Sequence, residues 1–455
     1  MTRKFVNWLD DRLGTATFMK HALRKAFPDH WSFMLGEINL YCFAVLLATG
    51  TFLAFNFDPA LTTTVYHGPY RLLDGVSMST AYASALHLSF AVNAGLLIRQ
   101  IHHWAALLFV AGITVHMARV FFTGAFRNPR ELNWMIGVVL FVLALGEGFT
   151  GYSLPGDLLS GIGLRIADSV LLSIPFVGTW GSFLLLGGAF PYSDQIGPRL
   201  FAAHVFAIPA AIAALIALHL AILWRQKHSQ FRGPQRTEHN VVGSPLFPNY
   251  AAKSIALGCA TLTVLVALGA FVQINPIWLF GPYNAYQVTS PAQPDWYIGW
   301  LDGALRISFP WAIHLFGHTI PSPFFPGVLL PLMLFTPLFL WPFLERAITG
   351  DRRPHQLLDR PRDVPWRTAT GVAIFMLALD LTLAGSGDVQ ARYLHVPVNV
   401  INVVYRFGFV CAPILGYLVT YAFARELRRT SGVHEAERVR LRRNARGGFD
   451  EEILP

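Results

Sequence analysis

The 455-residue chain is 54% hydrophobic and only 13% charged, whereas a soluble domain carries about 25% charged residues. This composition excludes an ordinary soluble enzyme and a disordered chain. The formal net charge is +9, as in many nucleic-acid-binding proteins, but the basic residues lie in short segments between apolar runs. We therefore expect a membrane protein, with no nucleic acid among its partners.

Four long runs contain no Asp, Glu, Lys or Arg: 38–57, 200–224, 254–294 and 307–344. About 20 helical residues cross the roughly 30 Å of hydrocarbon in a bilayer, so each run is long enough for at least one crossing. With the shorter apolar stretches, they predict an all-α polytopic membrane protein of about eight transmembrane helices. These are residues 32–57, 95–123, 133–153, 200–225, 252–275, 326–345, 368–386 and 399–424.

The distribution of Lys and Arg predicts the orientation of these helices. With the N-terminus inside, the cytoplasmic side receives Arg3, Lys4, Arg12, Lys20, Arg24, Lys25, Arg127, Arg130, Arg225, Lys227, Arg232, Arg236, Arg346, Arg352, Arg353, Arg360 and Arg362. The opposite loops keep few basic residues, among them Arg71, Arg165, Arg306 and Arg392. The positive-inside rule therefore places a multi-pass protein in the cell inner (plasma) membrane, with both termini cytoplasmic.

A polar stretch with Gly and Pro, residues 226–250, separates two sets of four spans. We expect a cytoplasmic N-terminal surface segment (1–31), a four-helix domain (32–235), a C-terminal four-helix domain (236–425) and a charged cytoplasmic tail (426–455). The outer loops 154–199 and 276–325 are too long for simple connections and should contain helical pieces. The tail is rich in Arg and Glu, which favours a surface helix.

Four histidines lie in two charge-free helical stretches: His102 and His116 are 14 residues apart, and His204 and His219 are 15 apart. On a helix these spacings correspond to roughly 21–22 Å along the axis and a rotation of about 40–60°. Two adjacent helices would then offer one imidazole each at two levels, as two bis-imidazole haem sites require. His103 competes with His102, because its spacing to His116 is 13 and spacing alone does not decide between them.

Glycines repeat the same period in the neighbouring spans. Gly36 and Gly50 lie 14 apart, as do Gly137 and Gly151. A flat macrocycle between helices needs neighbours without side chains at its two levels, whereas close helix packing explains glycine but not the shared period. Arg99 and Arg119 lie three residues from His102 and His116, where each could pair with a haem propionate.

These motifs resemble the cytochrome b subunits of quinol:cytochrome c oxidoreductases over about residues 28–425. The family's Pro-Glu-Trp-Tyr motif of quinol oxidation appears as Pro294-Asp295-Trp296-Tyr297, and its Gly-Tyr-x-Leu-Pro motif as Gly151 to Pro155. The strings RQIHHWAALLF and FTGAFRNPRELNW are most similar to actinobacterial members, which use menaquinone.

The resemblance implies a dihaem four-helix bundle in the N-terminal half. His102 and His204 would hold an outer, low-potential haem b, and His116 and His219 an inner, high-potential one. Asp295, Tyr297 and Tyr152 would act at an outer quinol site in loop 276–325, which Pro294 and Trp296 would line. The implied partners are a Rieske iron–sulfur protein, a membrane-bound cytochrome c subunit, a second copy of the chain, membrane lipid and, in a supercomplex, a terminal oxidase.

Three positions depart from the family. Asp295 stands where Glu is usual, and at 295 a simple helix N-cap is the alternative role. Met34 stands where one branch binds an additional haem through Cys, so no third haem is expected. At the inner quinone site, the Lys-Asp pair of mitochondrial relatives reads Lys253-Ser254, which leaves the proton donor open, with His228 and Arg225 as candidates by position.

Two other classes of protein also fit part of the pattern. A dihaem membrane anchor of a dehydrogenase or nitrate reductase is usually shorter and lacks both the Pro-Asp-Trp-Tyr loop and the second half. A transporter in which Glu147 and the histidines relay protons would be colourless.

Overall fold

The computed structural model describes residues 2–188, 193–290, 292–315, 317–430, 438–443 and 449–454. These residues form sixteen α-helices: α1 (Thr2–Leu13), α2 (Thr15–Leu23), α3 (Leu35–Ala54), α4 (Thr80–Phe90), α5 (Gly95–Phe122), α6 (Glu131–Ser153), α7 (Leu158–Leu172), α8 (Gly178–Leu186), α9 (Ile196–Ala202), α10 (Ile208–Gln226), α11 (Ala251–Phe271), α12 (Trp296–Ile307), α13 (Leu330–Thr349), α14 (Pro365–Gly385), α15 (Gly387–Leu394) and α16 (Val398–Thr430).

Within the described residues, strands occur only as five short pairs. These are β1 (Ala26–Phe27) with β5 (Ser244–Pro245), β2 (Thr63–Val65) with β3 (Ser77–Ser79), β4 (Gln230–Phe231) with β8 (Leu357–Leu358), β6 (Ile313–Leu315) with β7 (His318–Ile320), and β9 (Arg438–Arg443) with β10 (Phe449–Leu454). All pairs are antiparallel except β4 with β8.

Eight helical segments are long and apolar enough to cross a membrane, which confirms the predicted fold class. They are Leu35–Ala54, Gly95–Phe122, Glu131–Ser153, Ile196–Gln226, Leu246–Phe271, Phe325–Thr349, Pro365–Gly385 and Val398–Thr430. The fourth consists of α9, a π-helical turn at Ala203–Ala207 and α10. The seventh crosses despite Asp380, which is buried in the protein rather than facing lipid.

The first four spans surround an apolar core that fills the middle of the bundle. Its buried members come from α3, α5, α6, α10 and α11, and include Cys42, Phe43, Ala105, Phe109, Ala144, Leu145, Ile212 and Leu265. Because α11 contacts both α3 and α5, and α13 contacts α6, the second half packs directly against the first.

The two long outer loops contain helices, as predicted. Helices α7 and α8 lie in loop 154–199, and α12 lies in loop 276–325. The loops are also hydrogen-bonded to each other, since Leu158 N donates to Gly281 O at 2.9 Å and Tyr283 N donates to Gly156 O at 3.1 Å. This contact fixes the start of the loop that carries Asp295.

The prediction of a surface helix in the tail is wrong. Helix α16 ends at Thr430, and the described part of the remaining tail is the antiparallel pair β9–β10. The register sets Arg442 opposite Asp450 and Arg440 opposite Glu452.

A buried ion network joins the two halves at the end of the bundle that the distribution of basic residues predicts to be cytoplasmic. Arg367 on α14 is fully buried and donates to Glu345 Oε1 at 2.8 Å and to Asp359 Oδ2 at 2.7 Å. Asp359 also pairs with Arg127, from the loop between α5 and α6, at 3.0 Å. Glu345 in turn accepts a hydrogen bond from Trp341 Nε1.

We predict that Arg367→Met strongly destabilises the protein, because it leaves the buried Glu345 carboxylate without its cation and leaves Asp359 paired only with Arg127 and Arg232. Removing one partner of a buried pair costs about 3–5 kcal/mol. The thermal unfolding midpoint of the detergent-purified protein should fall by several degrees. Arg429→Met is the control, since Arg429 pairs with Glu426 on the surface; equal midpoints for the two variants would contradict the prediction.

Candidate functional site

The outer pair of histidines comes from two different helices and meets inside the bundle. The rings of His102 on α5 and His204 at the π-turn have their centres 6.3 Å apart. Two imidazoles that bind one metal ion from opposite sides, at about 2 Å per bond, hold their ring centres about 6 Å apart. The arrangement therefore suits bis-imidazole ligation of a haem iron.

Each outer histidine faces a glycine at its own level. A Cβ atom on Gly50 would lie 3.1 Å from His102 Cε1, and one on Gly151 would lie 2.5 Å from His204 Cε1. The second distance is a clash, so no other residue fits at 151 without moving the imidazole. The predicted glycines thus stand where a flat group beside these rings needs open space.

The inner level repeats the arrangement. A Cβ atom on Gly36 would lie 3.4 Å from His116 Cε1, and one on Gly137 would lie 4.0 Å from His219 Cε1. His116 and His219 line a cavity of about 280 Å³. A single buried water needs only about 10–15 Å³ of such space, so this cavity has room for a large group.

The π-turn explains why the second histidine pair is spaced by 15 residues rather than 14. His204 lies within the π-helical turn Ala203–Ala207, and a π-turn accommodates one residue more than an α-turn. Pro209 follows in the first turn of α10, where its missing N–H interrupts the α-helical hydrogen bonds. His204 and His219 consequently face the bundle as a 14-residue pair on a regular helix would.

His102 and His204 both make their hydrogen bonds through Nδ1, which leaves the Nε2 atom of each ring available to bind a metal ion. Thr49 Oγ1 donates to Val45 O at 2.6 Å and lies 2.9 Å from His102 Nδ1, from which it therefore accepts. His204 Nδ1 lies 3.1 Å from the Glu147 carbonyl and 3.0 Å from its carboxylate. Partners of this kind fix the tautomer and the ring orientation of metal-binding histidines.

Two arginines near the histidines have buried nitrogens without a hydrogen-bond partner in the described structure. They are Nη1 of Arg99, and Nε and Nη2 of Arg119. Unpaired buried guanidinium groups are costly, so each favours an anionic partner such as a haem propionate. Arg99 also donates to Asn275 O at 2.6 Å, and the Arg119 guanidinium lies 4.2 Å from the Phe33 ring centre.

The proposed quinol loop brings a histidine, a carboxylate and a phenol together. Asp295 Oδ1 lies 3.0 Å from His103 Nε2, and Asp295 Oδ2 accepts from Tyr297 OH at 3.0 Å. Asp295 occupies the N-cap position of α12, but its side chain makes no capping bond. The alternative role as a simple helix cap is therefore not the one the carboxylate has.

Tyr297 is held deep in the protein. Its side chain is 2% exposed and lies against Gly148 of α6, where a Cβ would be 2.5 Å from the hydroxyl. Burial, followed by the charge of Asp295, raises the pKa of Tyr297 well above its usual range. Tyr297 therefore remains a hydrogen-bond donor at physiological pH.

The other predicted loop residues lie around this centre. Tyr152 is buried at the end of α6 with its hydroxyl against Gly163, and Pro294 is partly buried. Trp296 is not drawn into the cluster: its side chain is 43% exposed and makes only an edge contact with Tyr297.

Sequence reasoning missed the role of His103 and the residues that hold the loop. Gln293 Nε2 donates to the Asp388 carboxylate at 2.9 Å, and Arg306 pairs with both Asp302 and Asp388. Burial raises the pKa of Asp302, although the Arg306 charge opposes the shift. The adjacent histidines at 102 and 103 are the signal that could have indicated this contact. Only one of the two can face His204, so the other must point toward a different partner.

Comparison with known proteins agrees with this geometry. The curated cytochrome bc1 complex cytochrome b subunits of Mycobacterium leprae and Mycobacterium tuberculosis are each 50% identical over 423 residues, covering 93% of this chain and 76% and 77% of theirs. This chain belongs to the cytochrome b family. The Streptomyces coelicolor subunit is 45% identical over 99% of this chain and 83% of its own length.

Two further comparisons support the same membership. A family model described as cytochrome b (N-terminal)/b6/petB matches residues 107–282, which include three of the four histidines. A solved structure, titled hyperthermophilic respiratory Complex III, superposes with a TM-score of 0.65 and 21% identity, over 92% of this chain and all of that one. That likeness shows a shared fold.

We predict that each of the four facing histidines is needed for one haem. Alanine at His102 or His204 should remove the outer haem, and alanine at His116 or His219 the inner one, halving the haem measured per protein as pyridine haemochrome. His103→Ala is the matched control and should keep both. Full haem content in any of the four variants would refute its assignment.

Proposed function

We propose that this cytochrome b is the dihaem, quinol-oxidising membrane subunit of a respiratory quinol:cytochrome c reductase. The observation that carries the proposal is the two-level arrangement in which paired imidazoles each face a glycine, in a chain of this family. The Asp295 cluster at the outer level supports it. The proposed substrate is menaquinol, as the resemblance to actinobacterial members implies.

Two b haems, when bound, would carry electrons singly across the membrane. The protein's part is to hold them: His102 with His204 at the outer level, and His116 with His219 at the inner level. Arg99 would place a cationic group beside a haem propionate at the outer level, and Arg119 would do the same at the inner level. Thr49 and Glu147 orient the outer imidazoles.

At the outer site, the chain's task is to take up protons. Oxidation of one quinol releases two electrons and two protons. The Asp295 carboxylate accepts a proton from a quinol hydroxyl and passes it to the outer aqueous phase. Tyr297 and His103 hold that carboxylate by hydrogen bonds on its two oxygens. The haem that His102 and His204 would hold would supply an acceptor for one electron, and an iron–sulfur partner an acceptor for the other, so that turnover would contribute to proton translocation.

Further subunits are part of the proposal. Within the described residues, no group of three or more His, Cys, Asp or Glu could hold a metal ion. The iron–sulfur centre and the cytochrome c would therefore belong to a Rieske protein and a membrane-bound cytochrome c subunit. We also propose a homodimer in the plasma membrane, in contact with lipid, and association with a terminal oxidase.

A reduced-minus-oxidised spectrum of the purified protein tests the proposal against its competitors. Two b-type haems are expected, with reduction by quinol. A colourless protein would favour a proton-relaying transporter. A dihaem anchor of a dehydrogenase or nitrate reductase would also be coloured, but would not support quinol-dependent cytochrome c reduction.

We predict that the loop between α11 and α12 faces outward and the loop between α13 and α14 faces the cytoplasm. In a background without the three native cysteines, Tyr286→Cys (96% exposed) should react with an impermeant thiol reagent in intact cells. Arg353→Cys, whose parent side chain is 82% exposed, should react only after permeabilisation. The reverse result would invert the inner and outer haem assignments.

We predict that Asp295→Asn slows quinol:cytochrome c turnover at least severalfold, because the amide keeps the shape but cannot accept the proton. Positioned acid–base groups contribute about 10²–10⁴-fold in enzymes. Turnover is measured with excess cytochrome c, and both haem spectra should be unchanged.

The controls separate chemistry from structure. Asp74→Asn, in another loop on the predicted outer side, should leave turnover unaffected. His103→Leu should also slow turnover, whereas His103→Gln, which keeps an N–H donor, should retain more activity. Wild-type turnover in Asp295→Asn would reduce that residue to a structural role.

A further inference from the structure

Glu37, on α3, is the one carboxyl group among the described residues that line the inner cavity. It follows Gly36, which faces the His116 ring. Aromatic rings form the neighbouring wall: Phe27 lies 4.5 Å from Tyr250 and 4.8 Å from His228, ring centre to ring centre. A wall of stacked rings suits a flat quinone headgroup.

Hydroxyl groups from the fifth span hold both oxygens of this carboxyl. Tyr250 OH donates to Glu37 Oε1, and Ser254 Oγ donates to Glu37 Oε2 at 2.5 Å. Tyr41 OH lies 2.7 Å from Ser254 Oγ and donates to the Ser254 carbonyl. Glu37 thus occupies the space directly beside position 254, with O–H groups that can reorient around it.

The other titratable groups near the cavity are neutral, permanently charged or outside its lining. Burial, followed by the charges of Arg119, Arg130 and Lys25, lowers the pKa of His228 to about 4, so that this ring is neutral at physiological pH. Arg119 does not give up its proton. Lys253 and Asp29 pair with each other at 2.6 Å at the surface and do not line the cavity. Arg225, the other positional candidate, is exposed and also lies outside the lining.

We propose that Glu37 is the proton donor to the quinone at the inner site, an inference that rests on the function proposed above. Reduction of a quinone to a quinol takes two electrons and two protons. The haem that His116 and His219 would hold would supply these electrons one at a time. With each, the Glu37 O–H bond breaks and a quinone O–H bond forms; the resulting carboxylate is reprotonated from the cytoplasmic side before the next electron.

The geometry also predicts a substitute for Glu37. Because Ser254 Oγ touches the Glu37 carboxyl, an aspartate at 254 places a carboxyl at almost the same point. In this chain position 254 is a serine, and the carboxyl group is supplied by Glu37 on α3 instead of by a residue on α11. This explains the departure from the Lys-Asp pair without loss of a proton donor.

The test uses the assembled, purified complex mixed rapidly with a short-chain menaquinol analogue while the haem b spectrum is followed. Haem reduction reports the outer site, and the later reoxidation reports the inner site. E37Q should leave the reduction phase within about twofold of wild type and slow reoxidation at least about tenfold. The double variant E37Q/S254D should recover most of the reoxidation rate.

A second measurement does not depend on turnover. The infrared difference spectrum on reduction of inner-site quinone should contain a carboxyl band that is absent in E37Q and shifted in Glu37→Asp. Glu131→Gln, a matched change at the cytoplasmic end of α6, should alter neither the kinetics nor the band. Tyr250→Phe, which keeps the carboxyl, should slow reoxidation far less than E37Q.

The outcomes are separable. Absence of the reduction phase in the wild-type complex would refute the proposed function itself. A normal reduction phase with wild-type reoxidation in E37Q, or slow reoxidation that S254D does not relieve, would overturn the assignment of Glu37 alone. Should E37Q fail to assemble, the infrared spectra of wild type and Glu37→Asp decide: no band, or an identical band in both, overturns it.

Discussion

The rest of the structure depends on the approach of four imidazoles to four glycines, which is closest at Gly151 and Gly50. At Gly151 a single Cβ would lie 2.5 Å from the His204 ring, so the two helices can keep their separation only with glycine there. Between the two levels the bundle is solid, with the Phe43 and Phe109 rings stacked 5.8 Å apart among buried alanines and leucines. Two levels of facing imidazoles, separated by packed side chains, suit the passage of electrons rather than of molecules.

The π-turn accommodates the one extra residue between His204 and His219, so that both imidazoles keep their places in the bundle. On a regular helix, the one extra residue would rotate His219 by about 100° relative to its place in a 14-residue pair, and one of the two rings would leave the face of the bundle that it shares with the other. The extra residue lies at Ala203–Ala207 itself, which carries the histidine. The carbonyl and the carboxylate of Glu147 both lie within hydrogen-bond distance of His204 Nδ1. The π-turn therefore lies at the residue whose ring orientation these contacts set.

The spans and the facing glycines were predictable because each depends on a period within one helix. Apolar length predicts a crossing, and a shared 14-residue repeat predicts shared levels. The contacts of His103 with Asp295 and of Glu37 with Ser254 join residues 192 and 217 positions apart. No local pattern records which distant side chain packs against them. The tail prediction was wrong for a related reason: the pairing of β9 with β10 is a relation between two strands, which a helical periodicity does not record.

Both proposed quinone sites lie between the N-terminal and C-terminal halves of the chain, so each site needs side chains from the second half. At the outer level the carboxylate, Asp295, comes from the second half and its imidazole partner, His103, from the first. At the inner level the carboxyl, Glu37, comes from the first half, and its hydroxyl partners, Tyr250 and Ser254, come from the second. A four-helix bundle alone would hold the facing histidines but would possess neither complete cluster. In the proposed function, electron transfer would therefore depend on the first half alone, whereas proton exchange with quinone would require both halves packed together. The buried Arg367 network contributes to that packing, since Asp359 joins Arg367 of the second half to Arg127 of the first.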